Sequence, residues 1–131
     1  MLSQALLKSL HNMAIADAKG KKSEARRSVY IIEVRPIDPN CTFDIYVGST
    51  WHPVKYRFEQ HCEGGSKAAQ IFRTRAKPRG LRWDLMEGFP KFHNKDAVER
   101  AEKRVADYLA RKGYKVNCNM LTKKKPKDRN E

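Results

Sequence analysis

Val29-Tyr30-Ile31 and Tyr46-Val47-Gly48 are the two stretches on which the reading of this chain turns. The first lies within residues 28–35, rich in β-branched and aromatic side chains and stopped by Pro36, and reads as a strand. The second lies within residues 43–48 and reads as its partner. Residues 37–42, with Pro39 and Asn40, form a loop between them, so the spacing predicts an antiparallel hairpin with a long connection. Beyond the hairpin, Pro53 suits the first position of a helix running to about Cys62 and ended by Gly64-Gly65. Residues 66–76 read as a second helix with Ala69, Ile71 and Phe72 as its apolar contacts, broken by Pro78 and Gly80. Residues 81–86 alternate Leu81, Trp83 and Leu85 with period two and read as a third strand. A long helix over 96–112 closes on Gly113, and 114–117 leads into a short final segment. The expected fold is α+β, a small, mostly antiparallel three-stranded sheet flanked by helices.

At 131 residues the chain is long enough for one modest core. Residues 1–27 read as a helical, basic N-terminal extension, its helix amphipathic through Leu2, Leu6, Leu7, Leu10 and Met13, with 19–27 a polar linker. Residues 28–120 form the folded domain, and 121–131 a basic tail expected to be disordered. The formal net charge is +13, and three segments, 19–27, 67–82 and 123–131, account for all of it. Segregated charge favours a polyanionic partner. Segment 67–82 carries Lys67, Arg73, Arg75, Lys77, Arg79 and Arg82 without one acid, and is the candidate phosphate-tracking surface. No stretch has the roughly 18 apolar residues that spanning a membrane requires. Cys41, Cys62 and Cys118 are odd in number and lack CxxC spacing, which suits reduced cysteines in an intracellular, cytoplasmic protein.

Candidate chemistry begins on the last helix. On a helical wheel Val98, Ala101, Val105, Ala106, Tyr108 and Leu109 make one apolar stripe, and Glu102 falls inside it. A carboxylate there is costly unless paired or metal-bound. It is a buried Glu paired with Arg57 or another base, a sign that the helix is rotated, or a functional carboxylate. Arg57 and His61, four apart, share one helix face beside Val54, Phe58 and Cys62. An Arg there can hold phosphate bidentately, and a His can orient or deprotonate a neighbour. Exposed or merely packed versions of both residues also satisfy the pattern.

The order of strand tyrosine, strand Tyr-Val-Gly, helical Arg-x-x-x-His and a Glu in a later apolar stripe resembles the GIY-YIG nuclease superfamily. Ser28-Val29-Tyr30 stands in place of the first tripeptide, with Ser28 instead of glycine, and Tyr46-Val47-Gly48-Ser49-Thr50 matches the second. Arg57 and His61 match the helix motif, Glu102 the metal-binding Glu, and Asn117 the late asparagine. Fifteen residues separate Tyr30 from Tyr46, longer than the family's usual spacing, so the hairpin carries an insertion around 36–42. The resemblance implies hydrolysis of DNA phosphodiesters, with RNA also open as substrate, using one divalent ion, Mg²⁺ or Mn²⁺, held by Glu102. It gives Arg57 the phosphate, Tyr30 the attacking water and Tyr46 an orienting role, with His61 accepting or relaying the proton. Which tyrosine is the base stays open. With no room for a recognition domain, specificity would come from nucleic-acid structure, a homodimer or a larger complex. The rival reading is a non-catalytic, basic nucleic-acid-binding module, which explains the charge equally well.

Overall fold

The computed structural model describes residues 2–119. The expected tail therefore lies outside the described residues. Four strands and five helices are seen there: α1 (Gln4–Ala18), β1 (Ser28–Pro36), β2 (Ile45–Thr50), α2 (Val54–Glu63), α3 (Ile71–Thr74), β3 (Ala76–Leu81), α4 (Trp83–Met86), α5 (Lys95–Arg111) and β4 (Val116–Asn117). The architecture is α+β, as the periodicities predict. The sheet is four-stranded and mixed, in the order β3-β1-β2-β4, rather than three-stranded. β1 pairs antiparallel with both β2 and β3, whereas β4 runs parallel to β2 through Ile45–Val116 and Tyr46–Asn117.

Consecutive buried residues from Val29 to Ile32 mean that both faces of β1 are covered. α2 packs against β1 and β3, and α5 against β1, β2 and α1. Ser3 caps α1 by accepting the Leu6 N–H at 3.1 Å. Gly64 ends α2 with φ +72°, a left-handed position that suits glycine.

Two segments differ from the sequence-based expectation. Only Ile71–Thr74 of the expected second helix is helical. The residues before it are tied by distant groups instead: Arg73 donates to the Ser66 and Ala68 carbonyls, and the Ala69 N–H donates to His61. The third strand is Ala76–Leu81, and Trp83–Met86 is a short helix. Pro78 and Gly80 look like breakers, but β3 is an edge strand, where a missing N–H is tolerated. Arg79 is the extra residue of a bulge, since Val34 pairs with Pro78 and Glu33 with Gly80. Trp83 then points outward, while Leu85 is buried.

The N-terminal stretch is no detached extension. Leu2, Leu6 and Leu10 belong to the same core as the sheet residues. The buried Asp17 carboxylate accepts the Asn94 backbone N–H and its side-chain amide at 3.3 and 2.6 Å, and also the His93 N–H. Residues 26 and 27 bond to Phe92, so the basic linker is pinned at its far end. Cys41, Cys62 and Cys118 form no disulfide, and no helix among the described residues is long and apolar enough to cross a membrane.

Candidate active site

The hairpin register decides where the tyrosines stand. Tyr30 faces Gly48 and Ile32 faces Tyr46, so residues of like parity place both phenols diagonally on one face. Their ring centroids are 6.1 Å apart. His61 of α2 sits over the same face, 5.9 Å from Tyr30 and 5.5 Å from Tyr46, and Phe72 of α3 completes the aromatic box. Gly48 makes this cluster sterically allowed. A Cβ there would lie 2.6 Å from the Tyr30 hydroxyl, 2.7 Å from its Cζ and 2.9 Å from Tyr46 Cε2.

His61 is fully buried, and its two ring nitrogens have separate partners. Nδ1 accepts the Ala69 backbone N–H at 3.1 Å, and Nε2 lies 2.8 Å from Tyr30 Oη. Because an amide N–H can only donate, Nδ1 carries no proton, and the neutral ring bears its hydrogen on Nε2. His61 therefore donates to the Tyr30 oxygen. It is not arranged to accept the Tyr30 proton, as the relay role requires. Burial, reinforced by the Arg57 charge, pushes its pKa down to about 3.

That value has a consequence for stability. The unfolded chain protonates this histidine near its ordinary 6.5, whereas the folded chain refuses the proton until about 3. Stability is flat above that window and falls as pH falls through it, by up to about 1.4 kcal/mol per pH unit. Between about pH 7 and about pH 5 the His61 contribution should be a loss of roughly 2 kcal/mol in urea unfolding. His61→Gln should remove that increment from the slope; equal slopes in the two chains would refute the buried, neutral assignment.

The other candidates surround this pair. Arg57, half-buried, donates to Gln60 Oε1 at 2.9 Å and to the Lys67 carbonyl at 2.6 Å. Its charge also lies close enough to Tyr30 to favour the phenolate, but burial outweighs it, and Tyr30 titrates well above an ordinary tyrosine. Burial and the Glu102 charge push Tyr46 up to about 12, against the pull of the Tyr30 hydroxyl and Arg57.

Glu102 is 4% exposed, inward as its place in the apolar stripe predicts. Its Oε2 accepts the Cys118 thiol at 3.1 Å, and its charge raises both tyrosines. Asn117 lies on β4 in register with Tyr46. Tyr30, Tyr46, Arg57, His61 and Glu102 thus come from β1, β2, α2 and α5 into one electrostatically linked cluster. No protein-family model, curated protein or solved structure matches this chain.

The six basic residues of 67–82 do not behave as one free patch. Arg75 pairs with Asp38 at 3.4 Å, Arg79 with Glu33 at 3.7 Å, and Arg82 forms a fork on Asp84 at 3.0 and 2.9 Å. Arg73 holds the turn before α3. Lys67 and Lys77 are exposed. The stretch contains no acid of its own, yet folding brings acids to it. Sequence reasoning gave no site role to Cys118, Phe72 or the Ala69 N–H, because no motif or spacing marks them for one.

Proposed function

We propose that this chain is a divalent-metal-dependent endonuclease of the GIY-YIG kind, hydrolysing phosphodiester bonds in DNA. The observation that supports this most is the Tyr30–His61 hydrogen bond, buried within reach of the Arg57 and Glu102 charges. A purely structural tyrosine would need neither charge beside it.

The nuclease reading carries a divalent ion with it. Among the described residues no three His, Cys, Asp or Glu side chains gather as a ligand group. A Mg²⁺-type ion keeps several waters and takes one or two carboxylates together with substrate phosphate. Glu102 suits that mode and would hold Mg²⁺ or Mn²⁺, whose charge, when bound, opposes that of the phosphate and the leaving oxygen.

The chain's own groups do the rest. Arg57 binds the phosphate and stabilises the charge that builds as water adds to phosphorus and the leaving oxygen departs. His61 occupies one lone pair of Tyr30 Oη with its Nε2–H. The remaining lone pair can accept a hydrogen bond from the attacking water, and only in the phenolate can this oxygen take that water's proton. Because burial keeps both phenols protonated at neutral pH, Tyr30 first orients that water, and its role as base grows with pH. Tyr46, diagonal to Tyr30 on the same face, helps orient the water or the phosphate. Lys67 and Lys77 add contacts to the backbone of the nucleic acid.

A labelled panel of single-stranded, duplex and branched DNA, with RNA alongside, tests the reading. Cleavage should require Mg²⁺ or Mn²⁺, vanish with chelator, and rise with pH through neutrality without a step near the ordinary histidine value. Binding without cleavage of any substrate under either ion would instead make the chain a non-catalytic nucleic-acid-binding module.

A further inference from the structure

The chain has two tryptophans, and both are more than half exposed: Trp51 at 57% and Trp83 at 56%. Tryptophan is usually mostly buried, so two exposed ones on a single groove call for an occupant. The groove, of about 490 Å³, is lined by both tryptophans together with His52, Arg26, Lys91 and Glu24. A second hollow, of about 420 Å³, shares Trp51 and His52 and continues past Tyr56 to Arg57 and Lys67. Trp51 and His52 are therefore the ridge between an outer groove and the hollow that reaches the candidate site.

The ridge is already ordered. The Trp51 and His52 rings lie 4.1 Å apart at 30°, and Tyr56 meets His52 edge-on at 5.0 Å. The His52 N–H donates to Thr50 Oγ1 at 3.0 Å, which fixes the turn after β2. Around these rings stand four cations, Arg26, Lys91, Arg57 and Lys67, against Glu24.

We propose that this aromatic ridge stacks unpaired nucleobases, so that the chain takes nucleic acid with a single-stranded segment running through the groove toward Arg57. Aromatic platforms flanked by cations bind single strands because every base offers a π face and every linkage a negative charge. A duplex hides its base faces and offers this ridge only phosphates. The position of the scissile bond beside Arg57 rests on the nuclease reading. The groove's ligand does not.

Binding is measured with the full chain in chelator, so that catalysis plays no part, using labelled oligothymidine and a blunt duplex of equal length. Oligothymidine should bind more tightly than the duplex. Trp51→Ala should weaken oligothymidine binding about tenfold, since stacking is worth roughly 1–3 kcal/mol per base, and leave duplex binding nearly unchanged. Trp51→Phe should restore most of the loss. In Trp83→Phe, where Trp51 is the sole tryptophan, oligothymidine should quench the fluorescence. Both sites are exposed, and circular dichroism checks the fold. Equal oligothymidine affinity in wild type and Trp51→Ala, or a duplex bound as tightly, would overturn the proposal. So would a dimer dissolved by Trp51→Ala, because the ridge would then be covered by a second copy. A chain that binds oligothymidine through Trp51 but cleaves nothing would lose the nuclease reading alone.

Discussion

Glu102→Gln should lower metal-dependent cleavage by at least about a hundredfold while leaving nucleic-acid binding in chelator unchanged or slightly tighter. The substitution keeps the volume of a side chain that is 4% exposed and retains an oxygen for the Cys118 thiol. What it removes is the charge. Losing an ion that neutralises developing charge on phosphate costs several kcal/mol, and each 1.36 kcal/mol is tenfold in rate. The fold should survive, because an ionised carboxylate in this position is itself expensive. A second readout separates loss of charge from loss of shape. Glu102 raises both tyrosines, so in the variant Tyr46 should titrate below about 12, followed by tyrosinate absorbance. Cleavage within about threefold of wild type would remove Glu102 from the chemistry.

Gly48→Ala is expected to be the most damaging change of a single methyl group. Contacts of 2.6, 2.7 and 2.9 Å on Tyr30 and Tyr46 are too short to persist, and neither ring can swing away freely. Tyr30 is held by His61, and Tyr46 lies edge-on to Phe72 at 5.2 Å. Overpacking of this kind costs about 1–3 kcal/mol. Moving Tyr30 off His61 also leaves a buried N–H without its acceptor, worth about 1–3 kcal/mol more. Cleavage should fall about a hundredfold, the size of loss that a misplacement near 1 Å can cause. Gly80→Ala is the control, since its added methyl meets nothing within 4 Å. If the two variants melt and cleave alike, the tight approach of Gly48 to the tyrosines has no importance.

The parts of the fold legible in the sequence are those where pattern and burial coincide. Val29 to Ile32 read as a strand because a doubly covered strand is apolar without interruption. Glu102 was legible from the wheel because it falls between Val98 and Ala106 in an apolar stripe that the helix buries. The third strand was not. Pro78 and Gly80 argue against a strand locally, and only the edge position in the sheet makes them acceptable. The state of the basic stretch was hidden for a similar reason. Asp38 and Glu33 come from other parts of the chain, and Asp84 stands two residues beyond the basic stretch. The direction of the Tyr30–His61 bond depends on one amide, that of Ala69, eight residues beyond the histidine. The aromatic ridge was missed because exposed rings have no period to betray them.

Among the described residues β3, with Lys77, Pro78 and the bulged Arg79, forms one of the two edges of the sheet. Such a border would otherwise invite another chain to add a strand, the usual beginning of aggregation. A proline without an N–H, a bulge that interrupts the repeat and two flanking cations all discourage that recruitment. Lys77, offered above as a contact for the nucleic-acid backbone, therefore also helps guard the molecule against its own copies. Selection at these positions would then act on colloidal stability as well as on any ligand.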